Sequence, residues 1–195
     1  MREGYAGPGF RPGPGRRSAR KLGGGRFGRA IASPAVTQAP HPNVQRVADE
    51  LARHGATGTV QQLAETARTA AMAAEQLGVD IGAIVKSLIF LADGAPVLVL
   101  TSGTHQVDTA RVAAALGVAA LRRADADAVR AATGQPIGGV APVGHPAPLR
   151  TLVDVTLADY PVIWAAGGHP HSVFPTTYAE LLTLTAGTPT EVAAG

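Results

Sequence analysis

The chain has no cysteine among its 195 residues. That absence removes disulfides, thiolate metal sites and a cysteine nucleophile together. No apolar run approaches the ~18 residues that a membrane span requires. The arginine-bearing N-terminus also lacks the apolar core and small-residue cleavage site of a secretory signal, so a cytoplasmic protein is expected. Also missing are a Gly-x-Ser-x-Gly elbow, a Gly-x-x-x-x-Gly-Lys-Ser/Thr phosphate loop and a His-Glu-x-x-His pair. Serine-hydrolase, nucleoside-triphosphatase and zinc-protease readings lose their usual signatures with them.

What is present is a globular composition, 46% hydrophobic, sized for one core plus an appendage. The formal charge of +3 is unevenly spread. Residues 1–38 hold eight Lys and Arg against Glu3, a balance of +7, whereas the rest holds nine against thirteen Asp and Glu, a balance of −4. Basicity therefore belongs to the Gly/Pro/Arg-rich leading segment, whose composition is that of a disordered tail. That tail is either a flexible arm for RNA phosphates or an extension without a role. An acidic body that handles nucleic acid should do so locally, at a terminus. Gly23-x-Gly25-x-x-Gly28 matches a dinucleotide fingerprint only as a string, since no strand precedes it and no βαβ unit surrounds it.

Residues 39–195 form the expected domain. Val44, Val47, Ala48 and Leu51 recur at helical spacing behind Asn43 as N-cap, predicting a helix over 43–54. A short strand is expected at 59–63 and an alanine-rich helix at 66–77. The apolar runs 84–91 and 96–101 flank Asp93-Gly94, a hairpin signal that places both strands centrally in the sheet. Further helices are expected at 108–116, 125–133 and 177–184, with strands at 118–122, 151–155, 162–166 and 172–174. The mixture predicts a mixed α/β, α+β-like fold: one compact domain with a curved mixed sheet or pseudo-barrel surrounded by helices.

Several residues could carry chemistry. Gly138-Gly139-Val140-Ala141-Pro142-Val143-Gly144-His145, with Thr133-Gly134 before it and Pro146 after, is either a turn between strands or a rigid loop whose peptide N–H groups face a ligand. Lys86 interrupts an apolar strand, so it is either an edge residue or a fixed positive charge in a pocket. His145, His169 and His171 could hold zinc, although Pro146 and Pro170 read as turn chemistry. Asp154 lies amid apolar residues, where a carboxylate needs a partner or a purpose unless it faces solvent. Thr66 and Thr69 are most simply capping residues.

These segments, taken in order, resemble the YbaK/EbsC family of prolyl-tRNA-editing-like aminoacyl-tRNA deacylase domains. The resemblance is carried by Thr66-Ala67-Arg68-Thr69-Ala70 with Leu77-Gly78, Ile84-Val85-Lys86-Ser87-Leu88, Thr133-Gly134 with the loop above, Val153-Asp154, and Ala165-Ala166-Gly167-Gly168, over roughly residues 58–185. It implies hydrolysis of the ester between a wrong amino acid and the 3′-terminal adenosine of a tRNA, of the Cys-tRNA(Pro) or Ala-tRNA(Pro) type. It also implies that Lys86 is the hallmark site residue, that the loop's amides grip the ester, and that water or the substrate's own groups make the attack.

On this reading Lys86, Gly138, Gly139 and Asp154 are assigned to catalysis. Thr66, Thr69, Ser87, Val140, Ala141, Pro142, Gly144, His145, Gly167 and Gly168 are assigned to holding substrate. No metal or cofactor is called for. The partners expected are the acceptor end of a mischarged tRNA and a prolyl-tRNA synthetase, with no membrane, and the protein itself is expected as a monomer or homodimer. His169-Pro170-His171 departs from many relatives, which carry threonine or another small residue first, and this points to altered selectivity. Two other classes stay open: a non-catalytic module that binds aminoacyl or nucleotide ends, and a metal hydrolase using the three histidines.

Overall fold

The computed structural model describes residues 40–193. The expected tail and its Gly23-to-Gly28 string lie outside the described residues.

The hairpin is the centre of the fold. Ile84–Ala92 (β2) and Ala95–Ser102 (β3) pair antiparallel from Val85↔Ser102 to Ala92↔Ala95. Between them Asp93 (φ 48°) and Gly94 (φ 91°) both take left-handed conformations, the geometry that a two-residue turn needs to match strand twist. Asp93 also accepts from the amides of Ala119 and Ala120, and so ties the turn to the segment that leads into Leu121–Arg123 (β4).

Around the hairpin the eight strands run in the order β1-β7-β6-β2-β3-β5-β8, with β4 also on β2. The others are Gln61–Gln62 (β1), Arg150–Asp154 (β5), Ile163–Ala166 (β6), Ser172–Thr176 (β7) and Thr188–Thr190 (β8). Strands β6 and β5 join the hairpin in parallel, while β4 and β7 pair antiparallel, so the sheet is mixed as expected.

The outer edge of β2 is shared. β6 takes Ile84 and Val85, and β4 takes Phe90 to Ala92. Residues 86–88 lie between the two. The Ile89 carbonyl accepts from the Ala124 amide on that side. Strand groups alternate from residue to residue, so Ser87 turns its N–H and C=O toward the same interval.

Five helices cover the sheet: Pro42–Arg53 (α1), Ala70–Leu77 (α2), Thr109–Leu116 (α3), Ala126–Thr133 (α4) and Tyr178–Thr185 (α5). Val47, Leu51, Val129, Leu181 and Leu184 from α1, α4 and α5 pack on one face, against Val85, Ile89, Leu98, Leu100 and Phe174. Val112 and Leu116 of α3 pack on the other, against Phe90, Val97 and Val99. Ala73 and Ala74 of α2 meet Ile84 at the start of β2. Side-chain oxygens of Thr69, Asp108, Asp125 and Thr177 cap α2 to α5.

Four local expectations change. Helix α1 is capped by His41, with Pro42 in its first turn, while Asn43 is buried and donates to the Gly134 carbonyl. Helix α2 begins at Ala70 instead of residue 66, because the amides of Leu63 and Ala67 are held by the carbonyls of His171 and Pro170. The strand expected at 59–63 shrinks to β1, whose pairing with β7 is confined to Gln61 and Gln62. Strand β8 was not foreseen: three residues containing Pro189 carry no periodic signal, and at the sheet edge a proline is tolerated. No helix among the described residues is long and apolar enough to cross a membrane.

Leu98 is fully buried, whereas Val162 is 46% exposed. Leu98→Ala should therefore lower unfolding free energy by about 2–5 kcal/mol. Val162→Ala should change it by no more than about 0.5 kcal/mol, both read from urea midpoints at unchanged m-value.

Candidate active site

A cavity of about 500 Å³ opens at the interval in β2. It lies within the range of small-molecule sites. Lys86 and Ser87 both line it, although successive strand residues project to opposite faces, because the opening is at the strand's edge. One wall is apolar: Leu63, Ala67, Ala70 and Ala73 from α2 and its lead-in, with Ile84 and Trp164. The opposite wall is Ala124, Val129, Ile137, Gly138 and Val140. Among the described residues three cations reach the cavity, Arg68, Lys86 and Arg123, and no carboxylate lines it. In a body with a −4 balance that segregation favours an anionic ligand.

The loop that carries Gly138 is built from inside. Buried Gln135 donates from Nε2 to the Val143 carbonyl and accepts the Ala141 amide through Oε1 at 2.6 Å. His145 Nε2 bonds the Ala141 carbonyl at 2.9 Å, and burial pushes this imidazole below its ordinary pKa. Gly138 takes φ 84°, open to a residue without Cβ, and a Cβ on Gly139 would sit 2.7 Å from the Cα and carbonyl carbon of His169. So clamped, the loop ties up the amides of Gly139 and Ala141, on the Pro136 carbonyl and on Gln135. The amides of Gly138 and Val140 meet no acceptor among the described residues. Two N–H donors two positions apart on one loop can receive an oxygen that gains negative charge.

Lys86 enters from the other side of β2. Its ammonium donates to the His105 carbonyl. Burial pushes its pKa below the usual lysine value; the Asp154 charge opposes that shift and the Arg123 charge adds to it. Ser87 adds a buried hydroxyl that has no hydrogen-bond partner among the described residues.

Of the expected site residues, Thr69, Lys86, Ser87, Gly138 and Val140 line the cavity. Gly139, Ala141 and Pro142 are buried in the loop behind it. Gly144 packs by Val47, Gly168 by the Asn43 carbonyl, and Gly167 by Val60 and Ser172. Thr66 bonds His171 Nε2 instead of capping α2. Asp154 is 1% exposed and does not line the cavity. It accepts from Thr101 Oγ1, the Ser102 amide, the Thr156 amide and His105 Nδ1, the last at 2.8 Å. Burial alone would raise its pKa, but these hydrogen bonds and the His105 charge together hold it below the ordinary carboxylate value.

The three histidines considered for zinc do not converge. His145 is engaged with the loop, while the rings of His169 and His171 stack at 5.6 Å, with His41 against His169 at 4.9 Å. Among the described residues no group of three or more His, Asp or Glu side chains is gathered for a metal ion. Three contributors escaped sequence reasoning: Arg68, Arg123 and His105. Arg68 stands within the segment Thr66 to Ala70 that carries the resemblance, while nothing in the local context of Arg123 or His105 sets them apart from ordinary surface residues.

Comparison with known proteins gives a consistent result. A model of the aminoacyl-tRNA editing domain matches residues 64–184. The proline--tRNA ligase of Citrifermentans bemidjiense is 37% identical over 81 residues, 42% of this chain and 14% of that enzyme. That of Solidesulfovibrio magneticus is 30% identical over 143 residues, 73% of this chain and 22% of the enzyme. The chain thus spans less than a quarter of the length of these ligases. A solved structure assigned to a trans-editing enzyme for prolyl tRNA synthetase is 39% identical, with a TM-score of 0.76 over 80% of this chain and 100% of that one. A hypothetical protein of known structure is 29% identical, with a TM-score of 0.71 over 75% and 98%.

Two predictions follow from this geometry. Gly139→Ala should cost about 1–3 kcal/mol, with amide chemical shifts moving at His169 and His171 as well as in the loop. The folded pKa of Asp154 lies below its unfolded value, so its contribution is complete above the unfolded pKa and fades as pH falls through the folded one. Asp154→Asn should therefore be less stable than wild type by about 1–3 kcal/mol at neutral pH. The gap should narrow below about pH 4, as read from denaturant midpoints across a pH series.

Proposed function

Because the chain belongs to the aminoacyl-tRNA editing domain family, we propose that it is a trans-editing deacylase, which hydrolyses the ester of a mischarged tRNA at its 3′-terminal adenosine. Its substrates are of the Cys-tRNA(Pro) or Ala-tRNA(Pro) type, and its partners are the tRNA acceptor end and a prolyl-tRNA synthetase. The observation that carries the reading is one cavity that brings together Lys86, the unengaged amides of Gly138 and Val140, and two arginines.

In this mechanism Arg68 and Arg123 hold the terminal phosphates, which places the ester against the loop. The amides of Gly138 and Val140 take up negative charge on the carbonyl oxygen as the tetrahedral species forms. Lys86 supplies a second positive pole on the far side of the acyl group. Ser87 offers its unpaired hydroxyl to a polar group of the aminoacyl moiety. No protein nucleophile is needed, since a water held beside the terminal ribose hydroxyl attacks an ester that is already activated, the ribose oxygen leaves as its hydroxyl and the amino acid departs as the free acid; orientation supplies much of the acceleration, roughly 7–11 kcal/mol in favourable cases. The acidic remainder of the body keeps the rest of the tRNA at a distance, so recognition concentrates on the acceptor end.

The test is single-turnover deacylation of a panel of mischarged tRNAs. Wild type should clear at least one mischarged tRNA(Pro), and Lys86→Ala should lower that rate by roughly 10²–10³-fold, the scale of losing one group that stabilises the transition state. Equal rates in the two proteins would remove Lys86 from the mechanism. Tight tRNA binding without turnover of any ester would instead identify a non-catalytic binding module.

A further inference from the structure

We propose that Asp154 is a positioning residue for Lys86, acting through the turn Ser102–His105: the buried carboxylate pins this turn so that the His105 carbonyl holds the lysine ammonium at one place in the cavity. The inference rests on the deacylase reading for its catalytic meaning, though the geometry stands by itself.

Every link is a direct contact. Thr101 is the cross-strand partner of Lys86 in the hairpin. At the end of β3 the chain turns back on itself, with the His105 amide donating to the Ser102 carbonyl at 3.1 Å. Inside that turn Asp154 Oδ2 accepts from Thr101 Oγ1 at 3.1 Å, the Ser102 amide at 3.0 Å and His105 Nδ1 at 2.8 Å. Oδ1 accepts the Thr156 amide at 3.1 Å, which ties the carboxylate to the helical turn that follows its strand. Its oxygens are thus occupied by the frame, and none faces the cavity. A carboxylate used as general base would be open to a ligand or to water, whereas this one is closed.

The His105 carbonyl is the far end of the device. It receives one of the three N–H bonds of Lys86 and leaves two for ligand oxygens. The charge of Asp154 acts through the same short path and opposes the loss of ionisation that burial imposes on the ammonium. The other charged groups in the surroundings act differently. Arg123 on β4 repels the ammonium, Arg68 lines the same cavity from the α2 lead-in, and Tyr178 on α5 is held in its neutral form by burial and by Asp154. Among the described residues, Asp154 is thus the anion that offsets burial at Lys86.

The experiment exploits a count: the chain has only two lysines, Lys21 and Lys86, so lysine-selective ¹⁵N labelling of the full chain gives two Nζ signals, and the one lost in Lys86→Ala is that of Lys86. In wild type Lys86 should titrate below the ordinary lysine value, and in Asp154→Asn it should shift further down. His105→Ala keeps the carboxylate charge but unpins the turn. It should leave the Lys86 titration near wild type and lower kcat for deacylation by roughly 10- to 100-fold at little changed KM, the cost of a misplaced group. Lys86 titrating identically in wild type and Asp154→Asn would overturn the proposal. So would unchanged kcat in His105→Ala, which also decides the matter if Asp154→Asn does not fold. Failure of wild type to cleave any mischarged tRNA, with the Lys86 shifts as expected, would remove the deacylase reading and leave the positioning intact.

Discussion

The structure depends on an unfilled stretch of strand edge. Strands β6 and β4 both dock on the outer side of β2 but stop short of each other, leaving residues 86–88 without a strand partner on that side. An interior strand normally satisfies its backbone on both edges. Here the interruption becomes a cavity, and helix α2, the Gly138 loop and the β4 cation are the groups that surround it.

The same interruption explains an arrangement that a flat sheet could not provide. Lys86 and Ser87 belong to opposite faces of β2, yet both reach one space because the edge between the faces is open. Val140 packs with Val85 and Ile89 on the serine side, so the loop amides and the ammonium approach a ligand from two directions. Such opposed poles suit a group whose charge is divided between two ends.

Much of this was legible in the sequence, and the exceptions share a cause. The Asp93-Gly94 turn, the capped helices and the anomaly of a lysine within an apolar strand are local features, readable within a window of ten residues. Gly139 was noticed as part of a glycine pair, but the contact that demands it comes from His169, thirty residues on. Asp154 was noticed as a carboxylate in apolar company. Its partner His105 lies 49 residues earlier in a stretch with no pattern, so its closed hydrogen-bond shell could not be foreseen. The histidines near the loop were read as possible metal ligands because spacing says nothing about which rings stack and which bond a carbonyl. Thr66 reads as a cap from the alanine-rich run that follows it, whereas the bonds of Leu63 and Ala67 to the carbonyls of His171 and Pro170 move the helix start to Ala70.

Walls made of alanine, leucine, isoleucine and tryptophan offer a ligand little to recognise besides its shape, so along this lining discrimination goes by bulk. A single missing methylene in such a lining is worth only about 1–3 kcal/mol. A cavity of about 500 Å³ leaves room around a small group, so α2 and the Gly138 loop exclude by shape only as far as they hold their places.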